Sequence, residues 1–129
     1  MSMIVNHRDK YSFEARTRNH VILSDQPSTG GGSDMGMTPV EIFVAALGLS
    51  MGVYIEHFCL ARNLPGEHFS IHLDWEQEEN PSRISKISAC IHLPPNVPAR
   101  YLEAMRHAAE CCRLENTLKN PLRIEVQIG

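Results

Sequence analysis

The residues able to do chemistry in this chain are four cysteines, Cys59, Cys90, Cys111 and Cys112, seven scattered histidines, and a few hydroxyls and carboxylates beside apolar stretches. A cysteine thiolate attacks peroxide O–O bonds and disulfides, passing through a sulfenic acid or a mixed disulfide that a second thiol resolves. No pair of the four has C-x-x-C spacing, and no histidine pair has the His-x-x-x-His spacing on either predicted helix, so no metal or cofactor is expected. Bridged cysteines hold their Cα atoms about 5.5–6 Å apart, so a bond between the adjacent Cys111 and Cys112 would be strained. Ser50 could act as a hydrolytic nucleophile only with a base in contact. His57 shares its helix side but stands about 10.5 Å further along the axis, against the roughly 2.6–3.2 Å that such a pair needs. Tyr54, one turn from Ser50, reads as core or pocket lining rather than as an acid. Glu41, three residues after Thr38, reads as a helix cap rather than a catalytic carboxylate.

These residues must be held by a small set of elements. Tyr11–Arg16 alternates and His20–Leu23 is β-branched, predicting two strands joined by a turn at Thr17–Asn19. Ser24–Gly36, with Pro27, Gly30, Gly31, Gly32 and Gly36, reads as a flexible loop that clears a helix end; no Lys-Ser/Thr follows the glycines as in a phosphate-binding loop. Thr38-Pro39-Val40-Glu41 marks a sharp helix start, and Leu64-Pro65-Gly66 a stop after about Asn63. The first half of that helix is apolar nearly all round, which predicts that protein surrounds it. Ala45, Ala46, Gly48, Ser50 and Gly52 would let a neighbouring backbone approach closely.

Phe69, Ile71, Leu73 and Trp75 alternate with polar residues, as do Ile87, Ala89, Ile91 and Leu93, predicting a hairpin connected by the polar stretch Glu76–Ser82. Cys90 lies out of phase with the apolar face of its strand, and His68, His72 and His92 suit polar strand faces. On the next helix Leu102, Met105, Ala109 and Cys112 form one apolar stripe, with His107 off it and Cys111 rotated to its flank. Leu122, Ile124, Val126 and Ile128 predict a closing strand. The resulting order, β-β-α-β-β-α-β, is α+β in a single domain over residues 1–129.

Composition narrows the functions further. The net charge of −3 is spread along the chain, with no basic stripe to hold nucleic acid. Met1–Lys10 lacks the apolar core of a secretory signal, and the run Val40–Ile55 falls short of the roughly 20 residues of a membrane span. Reduced thiols in the cytoplasm are the expectation, with no membrane partner. For a chain this small, dimerisation would add useful apolar burial.

Four segments together resemble the OsmC/Ohr family, that of osmotically induced protein C and the organic hydroperoxide resistance proteins. They are Ser24-Asp25-Gln26-Pro27, Gly31–Glu41, Ala45-Ala46-Leu47-Gly48-Leu49-Ser50, and Cys112-Arg113-Leu114-Glu115-Asn116-Thr117-Leu118. The resemblance implies an intertwined, stress-response homodimer with a long central buried helix, an antiparallel sheet, and two sites at the subunit interface. It implies thiol peroxidase chemistry with two cysteines per site. One follows a motif like Ala-Ala-Leu-x-x-Cys, the other precedes Asn-Thr-Leu. Cys112 matches the second position; Ser50 occupies the first. The family's assisting glutamate falls on Val40, with Glu41 one position later, and Arg16 and Arg18 are the nearby candidates for its arginine. Phe43, Tyr54 and Glu41 are the residues expected to line the pocket.

Serine has no comparable oxidation chemistry, so Ser50 cannot perform the family's first step. Cys59, nine residues on, faces the opposite side of the helix and reads as core packing. Two readings follow. One is an OsmC-like homodimer without classical two-cysteine turnover, its interfacial cleft open to a small hydrophobic ligand or organic hydroperoxide. The other is a weak one-cysteine peroxidase or redox sensor acting through Cys112.

Overall fold

The computed structural model describes residues 1–129, which form two compact units, Met1–Phe43 and Val44–Gly129. The first holds a three-stranded antiparallel sheet of β1 (Ile4–Asp9), β2 (Ser12–Thr17) and β3 (His20–Ser24), in the order β1-β2-β3. The hairpin β2–β3 is as expected, closing at Arg18, whose φ is 52°. Strand β1 is an addition to the expected order. Every one of its residues is exposed, so no burial imposes the alternation by which a strand is recognised, and pairing with β2 alone defines it.

The glycine-rich segment after β3 is pinned rather than flexible. Asp25, only 1% exposed, accepts backbone N–H bonds from Gln26 (2.7 Å), Met35 (3.2 Å) and Ser33 (3.3 Å). A Cβ on Gly32 would stand 2.0 Å from the Gln26 carbonyl oxygen, and one on Gly36 2.4 Å from that of Leu23. These glycines let the loop fold back on the strand it leaves.

Helix α1 (Pro39–Ala61) begins at a reciprocal cap: Thr38 N–H donates to Glu41 Oε1 and Glu41 N–H to Thr38 Oγ1, both at 3.2 Å. It ends with Asn63 in the left-handed region at φ 51°, while Leu64 N–H returns to the Cys59 carbonyl at 3.0 Å and Asn63 N–H to that of Leu60 at 3.4 Å. This is the Schellman arrangement, which satisfies the last carbonyls and tucks Leu64 against the core.

In the second unit β4 (Ser70–Glu78) and β5 (Arg83–His92) form an antiparallel ribbon. The strands run deeper into the expected connection because opposite charges pair across them: Glu76 faces Lys86, and Glu78 faces Arg83 in a 2.7 Å ion pair. Ile71, Leu73, Ile87 and Ile91 are half-buried on one face. A Cβ on Gly48 would meet the Leu73 Cδ1 at 2.4 Å, so this glycine admits the ribbon onto α1.

Helices α2 (Leu102–Glu110) and α3 (Arg113–Lys119) follow. Leu47, Met51, Ile55, Phe58 and Cys59 of α1 pack with Val97, Met105, Ala109 and Cys112 to make the core. The expected stripe therefore holds at Met105, Ala109 and Cys112, but Leu102 is exposed and the helix breaks at Cys111-Cys112, so Cys112 caps α3 instead of continuing α2.

One further expectation is corrected. Residues 120–129 are not a strand: they pair with no other segment in the chain, and Leu122, Ile124, Val126 and Ile128 stand exposed. Period-two alternation supplies a strand's faces but not its hydrogen-bonding partner. Within the single chain, Leu49 (72% exposed), Val53 and Leu60 (67% each) leave one apolar face of α1 open. At 23 residues α1 is long and apolar enough, by length and composition, to cross a membrane; its other face instead packs into the core of this unit.

Candidate functional site

Ser50, Tyr54 and His57 recur at i, i+4 and i+7 and so share one side of α1. Ser50 is half-buried and His57 exposed. Tyr54 packs against the core and also borders an open cleft of about 490 Å³ with Arg113, Asn116, Thr117, Asn120 and Leu122. A hollow of about 280 Å³ is bounded by Val53, Tyr54 and His57. A groove of about 490 Å³ runs over Gly52, Val53, Glu56, His57, Leu60 and Phe69.

The motif around Cys112 does local structural work. Cys112 is fully buried (0% exposed), and its Sγ accepts from Glu115 N–H at 3.5 Å as the cap of α3. Asn116 Nδ2 donates to the Cys111 carbonyl at 3.2 Å, holding the corner between α2 and α3, and Thr117 Oγ1 donates to the Arg113 carbonyl at 2.8 Å. The packing keeps the Cys112 sulfur out of solvent while turning Arg113 and Asn116 toward the cleft beside Tyr54. Arg113 is a residue the sequence reading passed over; its place directly after Cys112 was the available signal.

The other thiols divide by environment. Cys59 is buried in the core, and that burial, with the nearby Glu56 charge, pushes its pKa up. Cys90 and Cys111 are exposed, Cys111 with its Sγ 3.6 Å from His107 Nε2, and all four are free. Of the remaining expected site residues, Glu41 spends a carboxylate oxygen on the α1 cap and Phe43 is exposed. Arg16 is held by Glu14 at 3.0 Å, and Arg18 sits in the β2–β3 turn.

The cleft beside Tyr54 combines an aromatic ring and an aliphatic side chain with a guanidinium and two amides. Such a lining suits a small, partly apolar molecule bearing an acceptor or anionic group. Ser50 and His57 are too far apart on the helix for direct proton transfer.

Three solved structures share this fold at low sequence identity. A Psychrobacter arcticus chain described as an osmotic stress induced and detoxification response protein superposes with a TM-score of 0.84 at 14% identity, covering 91% of this chain and 87% of its own. An OsmC-like protein of Mycoplasma pneumoniae gives 0.78 at 15% identity, over 92% and 86%. An organic hydroperoxide resistance protein OsmC of Legionella pneumophila gives 0.65 at 17% identity, over 93% and 90%. No match is found among curated proteins. The family model for OsmC-like protein matches residues 30–127, which span the capped helix, the ribbon and the Cys112 corner, and the chain belongs to the OsmC-like protein family.

Proposed function

We propose that this chain is a cytoplasmic, homodimeric OsmC-like protein, related to the stress-response thiol peroxidases, that lacks classical two-cysteine peroxide turnover. Its cleft instead holds a small hydrophobic ligand or an organic hydroperoxide. The observation that carries the proposal is a pair of residues: a hydroxyl at Ser50 where the family motif has its attacking thiol, and a thiol at Cys112 that is wholly buried. An oxygen cannot form the sulfenic acid, and a sulfur without solvent access meets peroxide only when the α2–α3 corner opens. Dimer formation is supported by the open apolar face of α1, where Leu49, Val53 and Leu60 would be costly to leave in water. The one-cysteine reading through Cys112 is favoured by its position as the α3 cap and disfavoured by its burial.

The test is to treat the purified protein with an organic hydroperoxide and follow intact mass and dithiol-dependent peroxide consumption. Unchanged Cys112 and no consumption are expected. A Cys112 sulfenic acid, with turnover lost in Cys112→Ala, would establish the one-cysteine reading instead. Ser50→Cys is expected to gain dithiol-dependent consumption; no gain would mean that Ser50 does not hold the attacking position.

A further inference from the structure

On the face of the β4–β5 ribbon turned away from α1, the register brings two histidines and a cysteine together. His72 lies directly opposite Cys90, Ser70 opposite His92, and Asp74 opposite Ser88. Residues two apart on a strand share a face, so His72, Cys90 and His92 form one cluster, with Asp74 in the adjoining row. All four are exposed, and the His72 and His92 rings stand 4.4 Å apart, centroid to centroid, at 53°. The opposite face carries Ile71, Leu73 and Ile91, which rest on the core. The cluster therefore stands on a fixed backbone while its side chains are free to turn.

We infer that His72, Cys90 and His92 form a binding site for a borderline-soft divalent cation, with Zn²⁺ the best match. Imidazole nitrogen with thiolate sulfur is the donor set such ions prefer. Two imidazoles on one tetrahedral ion, with metal–nitrogen bonds of about 2.0–2.1 Å, have ring centres about 5 Å apart. At 4.4 Å the two rings are close to that separation, and each must also turn to aim a nitrogen at a shared ion. As the side chains stand, no three donors converge on a point. Cys90 must turn toward the imidazoles, and directly opposed residues have Cβ atoms only about 4.5–5.5 Å apart, so rotation of its side chain suffices. On binding, the Cys90 S–H bond is replaced by a metal–sulfur bond and one proton leaves to solvent. The Asp74 carboxylate adds favourable charge, and the fourth position is left to water.

The site is independent of Ser50 and Cys112, and its test does not depend on peroxide chemistry. Co²⁺ titrated into the reduced protein is expected to saturate at one ion per chain, with the visible bands of a tetrahedral site and a near-ultraviolet thiolate-to-cobalt band, and Zn²⁺ should displace it. His72→Ala and His92→Ala should each weaken binding at least about tenfold, by comparison with what loss of supporting residues alone costs. Cys90→Ser should abolish the thiolate band, and Cys111→Ser should leave it intact. In the unsubstituted protein, Zn²⁺ should protect Cys90 but not Cys111 from alkylation. A band that survives Cys90→Ser and vanishes in Cys111→Ser would assign the ion to the His107–Cys111 pair and overturn the inference. So would the absence of saturable binding.

Discussion

Alkylation of the four thiols in the chelator-treated protein offers a direct measure of the packing on which the functional proposal depends. Cys90 and Cys111 are at the surface and should react first. Cys112 reacts only after the corner between α2 and α3 lifts, drawing Cys112 and the half-buried Leu114 out of the core. At about 25 cal/mol per Å², exposing one cysteine side chain and the covered part of a leucine costs about 3–4 kcal/mol. That opening lowers the reactive fraction by about two to three powers of ten. Cys59 should be slower still, because α1 must move to expose it and its buried thiol ionises less readily. Limiting maleimide, quenched at intervals and read by peptide mass spectrometry, separates the sites. The expected order is Cys90 and Cys111 together, then Cys112, then Cys59. Modification of Cys112 within about tenfold of Cys111 would refute the reasoning, since its corner would then open at almost no cost.

Three other outcomes follow from single contacts. Met105, 1% exposed among Ile55, Phe58 and Cys112, should lose about 3 kcal/mol of stability on Met105→Ala in urea unfolding, and a loss below about 1 kcal/mol would mean that α2 does not pack as described. Thr38→Ala removes the hydroxyl that caps Glu41 N–H and should cost about 1 kcal/mol, whereas Thr38→Ser should restore most of it. Burial alone would raise the pKa of Asp25; the Gln26, Met35 and Ser33 N–H groups and the Arg8 charge outweigh it and hold the carboxyl below its ordinary value of 3.8. Its stabilisation is therefore full above that value and lost as pH falls through the lower folded-state pKa, where the unfolded chain binds the extra proton. Asp25→Asn should flatten this acid limb in unfolding followed from neutral to low pH, and an unchanged limb would show that Asp25 does not couple to folding.

Much of this protein was legible in local patterns. The Thr38–Glu41 cap, the Asn63-Leu64 stop, the β2–β3 hairpin and the two faces of the β4–β5 ribbon each depend on residues a few positions apart. Propensity and period express such features directly. The family motifs around Ser50 and Cys112 were visible for the same reason.

Tertiary structure decided the rest, because it depends on which distant segments meet. Nothing in Met1–Lys10 announces β1, which exists only through its bonds to β2, while the well-alternating residues 122–128 have no pairing segment within the chain. Asp25 was one acidic residue in a glycine-rich stretch until three backbone donors closed around it. Likewise, the stripe on the second helix did not reveal that the helix would stop at Cys111 and leave the Cys112 sulfur as the cap of the next. The juxtaposition of His72 with Cys90 and His92 is a matter of strand register: a slip of one residue would send a strand's side chains to the opposite face. Short-range pattern settles what each segment becomes; long-range packing settles which functional groups meet and which are shut away.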